Sequence, residues 1–208
     1  MRELTTDMTG KIGQAGFYGK LPWKGDFVQR HLPVDWVETW DAYICGLMQS
    51  DNGGSQTFGG SRCFLLAPGC CDENAWIGSV AASKDRVGRR FPLVLASDIR
   101  LSEAMPDRIA DCMAWCGRAA ALQHDIATGL VSCDATFGQR LVELHAPAES
   151  TNRTAVIPDG IDDAWRWCRA QKGSLWWSGS GPVHESLRLP DAGEWQCWLS
   201  AESREQSA

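Results

Sequence analysis

The stretch R-C-F-L-L-A-P-G-C-C-D-E-N-A-W-I-G-S-V-A-A-S-K-D-R-V-G-R-R-F-P-L-V-L-A-S, from Arg62 to Ser97, contains three strand-like runs in close succession: Arg62 to Ala67, Trp76 to Ala82 and Arg90 to Ser97. The connections at 68–75 and 83–89 are too short to hold a crossover helix, so consecutive strands pair antiparallel. Leu93, Val94 and Leu95 form an unbroken apolar run, which suits a central strand covered on both faces. A meander therefore sits at the middle of the fold.

Reading outward toward the N-terminus, Ile12 to Lys20 is expected to be a first strand interrupted by glycines, and the turn from Leu21 to Asp26 ends it. From Val34 to Gln49 the residues Val37, Trp40, Ile44, Leu47 and Met48 recur at intervals of three and four, the pattern of an amphipathic helix. Pro33 precedes it, where a missing amide costs nothing. The run D-N-G-G-S-Q-T-F-G-G-S, Asp51 to Ser61, reads as a glycine and serine loop with no assigned chemistry.

Toward the C-terminus, Ser102 offers an N-cap, and Glu103, Pro106 and Asp107 supply first-turn chemistry for a long helix reaching Ile126. Its Ile109, Cys112, Met113, Cys116, Ala120 and Gln123 row is largely apolar. A shorter helix is expected over Ala135 to Leu144, with Phe137, Leu141 and Leu144 facing inward. Another runs from Asp159 through Ile161, Trp165 and Cys168 to a glycine stop at Gly173. Leu175 to Ser178 reads as the last strand. The expectation is an α/β three-layer sandwich, its central sheet mixed or mostly antiparallel, of about five strands with helices packed on it. It has a flexible N-terminus over 1–11, one domain over 12–201 and a fraying tail over 202–208.

A chain of 208 residues with a formal charge of −6 lacks the broad excess of Lys and Arg that nucleic-acid binding requires. No run approaches the roughly 20 apolar residues of a spanning helix, and residues 1–11 carry no secretory signal, so no membrane insertion is expected and the cytoplasm is the expected compartment. Nine irregularly spaced cysteines read as reduced thiols serving as small buried hydrophobes. Eleven tryptophans against two tyrosines suggest a ligand cage, but large indoles more often fill space between sheet and helix, so core or half-buried packing is expected for most of them. Trp23, between Pro22 and Lys24-Gly25, belongs instead to a turn.

Two segments carry an unusual mixture of charge, glycine, proline and aromatic residues. G-F-Y-G-K-L-P-W-K-G-D-F-V-Q-R runs from Gly16 to Arg30, and D-R-V-G-R-R-F-P-L from Asp85 to Leu93. In the first, Lys20, Lys24 and Arg30 surround Asp26; Gly25 is expected to allow an unusual backbone conformation and Phe27 to anchor the turn to the core. In the second, Arg86, Arg89 and Arg90 gather about Asp85 and Gly88. Arginine forks at a strand connection clamp a carboxylate or phosphate in bidentate fashion. Asp85 pairing with Arg89 or Arg86 equally stitches the turn to itself. Three arginines exceed what one aspartate needs, so the surface is read as partly satisfied internally and partly offered outward. The two turns are expected to lie side by side, with Asp26 or Asp85 bridging their cations.

With S-L-W-W-S at Ser174 to Ser178, these segments resemble the TagF family, also called ImpM, of accessory proteins to the bacterial type VI secretion system. The likeness runs in order from about Gly16 to Pro190. It covers Gly16, Phe17, Gly19, Lys20, Pro22, Gly25, Asp26, Phe27 and Arg30, then Asp85, Arg86, Gly88, Arg89, Phe91 and Pro92, then Trp176 and Trp177. Phe17, Phe27, Phe91, Pro92, Trp176 and Trp177 are the structural marks; the charged turns, with Trp23 and Lys24 added, are the candidate partner-binding residues. The chain departs from the family pattern at Trp23-Lys24, where a small residue followed by arginine is common, and at Trp36, where phenylalanine is common. The resemblance implies a sheet with helices packed on it and a cytosolic regulator that restrains type VI secretion after translation, through contact with a forkhead-associated scaffold protein.

Motifs for other chemistry are missing. Gly16 to Leu21 has two residues between its glycines and Leu21 after Lys20, which is not a phosphate loop, and no G-x-S-x-G, H-E-x-x-H or G-x-G-x-x-G occurs. Cys112 and Cys116 share a helical face, but with His31, His124, His145 and His184 scattered they form only half of a zinc pattern. No cofactor, metal or catalytic residue is expected. A hydrolase or phosphoryl-transfer accessory using Asp26 or Asp85 is disfavoured, because carboxylates among cations stay ionised and donate protons poorly. A structural subunit of the secretion apparatus is the remaining alternative.

Overall fold

The computed structural model describes residues 12–50, 60–99, 109–144, 160–179 and 181–205. Their elements follow in the order β1 (Gly16–Gly19), β2 (Val28–Arg30), α1 (Val34–Ser50), β3 (Arg62–Leu66), β4 (Ala75–Ala81), β5 (Leu93–Ile99), α2 (Ile109–Ala127), α3 (Asp134–Glu143), α4 (Ile161–Gln171), β6 (Ser174–Trp177), β7 (His184–Ser186) and α5 (Ala192–Glu205). All seven strands join one open antiparallel sheet in the order β2-β1-β5-β4-β3-β6-β7. The meander read from Arg62 to Ser97 forms its middle. No helix among the described residues is long and apolar enough to cross a membrane.

The period of two along the strands divides the buried residues into two clusters. Leu65, Ile77, Leu93, Leu95, Leu175 and Trp177 pack with the apolar rows of α2, α3 and α4. Phe64, Trp76, Val80, Val94, Ala96 and Trp176, pointing the other way, pack with α1 and with Trp195 of α5. The second cluster is built from indoles. Trp36 stacks on Trp40 at 5.1 Å, Trp36 meets Trp76 at 5.1 Å, Trp40 lies 6.3 Å from Trp176, and Trp195 meets Trp176 edge-on at 5.1 Å. Every one of the eleven tryptophans is buried or half-buried, which fits packing rather than a cage. Gly78 makes this packing possible. It pairs with Phe64 across β3 and β4, and a Cβ there would lie 2.1 Å from the Phe64 ring.

Several expectations need correction. The sheet has seven described strands, not about five, because β2 and β7 are three-residue edge strands too short to show a period. The first strand spans only Gly16–Gly19; Ile12 contributes an isolated bridge to Ile99. The third meander strand starts at Leu93 because Pro92 has no amide to donate; Arg90, before it, forms an isolated bridge with Lys84. The stop of α4 is Lys172, at φ 57°, and not Gly173, whose missing Cβ is needed against the Ser186 carbonyl. Leu175 to Ser178 is not the last strand, since β7 and α5 follow it. The N-terminal signals at Ser102, Glu103, Pro106 and Asp107, and most of the Asp51 to Ser61 loop, lie outside the described residues. All nine cysteines are free; Cys63, Cys112, Cys116 and Cys168 are buried, whereas Cys133 and Cys197 are exposed.

Candidate functional site

The two charged turns do lie side by side, at the sheet end where β1 runs into β2 and β4 into β5. The second turn is organised by Asp85. Its amide donates to the Arg89 carbonyl at 3.0 Å, and the Gly88 amide donates back to the Asp85 carbonyl at 3.0 Å. Gly88 takes φ 90°, a region that glycine enters without a Cβ penalty. One carboxylate oxygen of Asp85 accepts the amides of Val87 at 3.0 Å and Arg89 at 2.9 Å, the usual way an aspartate closes a turn on itself. The other accepts Lys20 Nζ at 3.0 Å and Arg89 Nε at 2.6 Å. The Asp85 side chain is wholly buried. Burial pushes its carboxyl up, but the Lys20 ammonium, the Arg89 amide and guanidinium and the Val87 amide outweigh it, holding the group well below the ordinary carboxylate range.

Three further bonds tie the second turn to the first. The Arg86 amide donates to the Lys24 carbonyl at 2.8 Å, the Arg89 guanidinium to the Gly25 carbonyl, and the Ser83 hydroxyl to the Lys20 carbonyl at 2.7 Å. Gly19, at φ 135°, lets β1 pass close to β5, where a Cβ would sit 2.2 Å from the Pro92 carbonyl. Lys20 Nζ also lies 4.9 Å from the Phe27 ring centroid, and Phe27 meets Phe91 edge-on at 4.8 Å. Beneath them Tyr18 donates to Asp41 of α1.

The first turn is held from its far side as well. Trp23 Nε1 donates to Asp134 Oδ1 at 2.7 Å, Lys24 Nζ pairs with Asp134 Oδ2, and the Trp23 indole meets Phe137 edge-on at 6.0 Å. Hydrogen bonds from Lys24 and Trp23 draw the Asp134 carboxyl below its ordinary value. Asp134 went unnoticed in the sequence, though an aspartate in the first turn of α3 is a recognisable signal.

The candidate residues thus separate. Lys20 and Asp85 are buried and paired with one another, so neither presents its charge at the surface. Asp26 bridges no cation described here; its Oδ1 accepts its neighbour's amide, Phe27 N, at 2.9 Å. Asp85 takes the bridging role, with Lys20 and Arg89. Gly25 lacks the positive φ expected of it, and Phe27 is 44% exposed instead of anchored in the core. Phe17, Phe91, Pro92, Trp176 and Trp177 are buried. Trp23 and Lys24 are half-buried against α3, and Arg30 is exposed on the edge strand β2. Lys84, Arg86, Arg89 and Arg90 are exposed, with Val87 between them 68% exposed. The second turn therefore has a buried anionic keystone and a cationic, partly apolar outer rim. His124 is exposed whereas Cys112 and Cys116 are buried, so the three do not converge.

A family model described as TagF N-terminal domain, type VI secretion system-associated, matches residues 16–143. Both turns fall inside the match, and Trp176 and Trp177 fall outside it. Among solved structures, the crystal structure of PA0076 from Pseudomonas aeruginosa PAO1 is similar, at 27% identity and a TM-score of 0.66, over 89% of this chain and 93% of that one. No curated protein matches the chain.

Proposed function

The chain belongs to the TagF N-terminal domain family, type VI secretion system-associated, and we propose that it is a cytosolic, non-catalytic regulator that restrains secretion after translation by contact with a forkhead-associated scaffold protein. The observation that carries this reading is the division of labour in the second turn. Asp85 absorbs Lys20 and one edge of Arg89, so the turn keeps a single shape, while Arg86, Val87 and Lys84 face solvent on a protein whose overall charge is negative. A rigid cationic loop with an apolar tip is a docking element, because little ordering entropy remains to be lost when a partner grips it.

The carboxylates that a hydrolytic reading would enlist support the same conclusion. Asp85 is buried, ionised and saturated with donors, which leaves it no proton to give and no lone pair facing a substrate. Asp26 serves its own turn.

Deleting the gene and measuring effector release tests the reading: release rises for a restraining regulator, and unchanged or abolished release contradicts it, abolished release being the mark of a structural subunit. Capture of the forkhead-associated scaffold by the wild-type chain, lost with Arg86→Glu while the variant remains folded, is the matching biochemical result.

A further inference from the structure

Phe27 is held firmly by its neighbours and yet left open to solvent. Its ring stacks on Tyr18 at 5.7 Å, meets Phe91 edge-on at 4.8 Å and has Lys20 Nζ 4.9 Å from its centroid, but the residue remains 44% exposed. A fixed aromatic side chain has already given up much of the rotamer freedom that binding would otherwise cost. Across the two turns, Arg86 Nη2 lies 3.7 Å from the position a Cβ would take at Gly25, two residues before Phe27. Val87, next to Arg86, is 68% exposed. Arg86 thus stands between two exposed apolar side chains. The charges around it are unbalanced. No carboxylate among the described residues lies within ion-pair distance of Arg86 or of exposed Lys84, since Asp85 is spent on Lys20 and Arg89 and Asp134 on Lys24. Asp26, exposed beside Phe27, gives one carboxylate oxygen to the Phe27 amide and pairs with neither cation.

Resting on the reading of these turns as a protein-docking surface, we propose that Phe27 is the aromatic anchor of that surface. The partner it fits places a carboxylate on the Arg86 guanidinium, flanked by aliphatic side chains that cover Phe27 and Val87. Charge selects the carboxylate: Arg86 presents a guanidinium fork with no internal partner, and the fork binds a carboxylate through two parallel hydrogen bonds. Lys84 adds a second cation that steers the same approach. An aromatic and an arginine side by side are the residue types that concentrate binding energy at protein interfaces, which a fold-only role for Phe27 leaves unused. Two such cations on a chain of charge −6 are too few to hold a phosphate backbone.

The test titrates the purified full-length chain with the purified forkhead-associated scaffold protein in a calorimeter, with the Tm of each variant measured alongside. Phe27→Ala should weaken binding about tenfold or more, the size of one lost anchor. Val87→Asp leaves the ring packing untouched and sets a negative charge where the carboxylate arrives, so it should weaken binding by a similar factor. It carries the test should Phe27→Ala fail to fold. Asp26→Asn keeps the oxygen that accepts the Phe27 amide but removes a negative charge from the patch. Binding should then tighten about two- to fivefold, a gain that a merely structural role of this turn does not produce. Affinity unchanged in both Phe27→Ala and Val87→Asp, affinity unchanged or weakened in Asp26→Asn, or self-association that covers Phe27 would each overturn the proposal. The two readings fail separately. Scaffold binding lost with Arg86→Glu but kept by Phe27→Ala and Val87→Asp removes the anchor alone, whereas a wild-type chain that does not bind the scaffold removes the docking reading and the anchor with it.

Discussion

The turns at Leu21–Asp26 and Lys84–Arg90 have much the same composition and opposite dispositions. Both hold lysine or arginine around a single aspartate and a glycine, yet the first is folded down onto the molecule and the second stands away from it. In the first, Trp23 and Lys24 are consumed by Asp134 of α3, and Lys20, just before the turn, is buried against Asp85. In the second, the aspartate is buried and the cations face out. The difference shows that a charged turn acquires an outward face when an internal carboxylate satisfies its backbone, because Arg89 alone then ties the turn down and Lys84 and Arg86 stay exposed.

The largest way to break this contrast is to remove the keystone. Asp85→Ala leaves Lys20 buried without its counter-charge and the Val87 and Arg89 amides without their acceptor. Thermal unfolding should show a fall in Tm of the order of 10 °C, and the turn should lose its single conformation. Asp26→Ala, which removes a bond only to the adjacent amide, should leave Tm within about 2 °C of wild type.

Glycine replacement sharpens the contrast at the next level. Gly88→Ala forces a side chain into φ 90° with no steric neighbour, and should cost about 1 kcal/mol in denaturant titration. Gly25→Ala meets nothing closer than the Arg86 guanidinium at 3.7 Å and lacks a positive φ, so it should be close to neutral. Equal losses at both positions would mean the two turns are built alike.

Acid provides a third probe. The folded carboxyl of Asp85 titrates below its unfolded counterpart, which lies near pH 4, so the folded state holds fewer protons in that range. Its contribution is complete at neutral pH and is lost as pH falls through the folded value. Asp85→Asn should therefore flatten the acid limb of the stability profile below about pH 4. The neutral region should shift as a whole.

Much of the architecture was legible because it rests on long periodic segments. The pattern of Val37, Trp40, Ile44 and Leu47 places α1 within a residue of its observed end, and Phe137, Leu141 and Leu144 are all buried as read. What was missed is short or depends on context. β2 and β7 have three residues each, and only pairing with a neighbour defines them. α5 hides behind a polar C-terminal composition, though Trp195 and Trp198 stand one helical turn apart and meet at 5.2 Å. In the candidate site, adjacency of the turns follows from the meander, yet the unequal fates of Asp26 and Asp85 do not follow from composition. A spacing did hold the answer. Asp85 and Gly88 stand at the first and fourth positions of a turn closed by the Gly88 amide, a placement that aspartate and glycine favour. Nothing local distinguishes buried Lys20 from half-buried Lys24, since only the arrival of Asp85 from 65 residues away makes the difference.

Arg86→Glu reaches the central claim most directly. In cells lacking the native gene, effector release should be measured beside the abundance and Tm of each complementing variant. The account predicts that Arg86→Glu accumulates and melts like wild type, within about 0.5 kcal/mol for an exposed position, while effector release stays as high as in the deletion. A folded, abundant Arg86→Glu protein that restrains release as fully as wild type would contradict it.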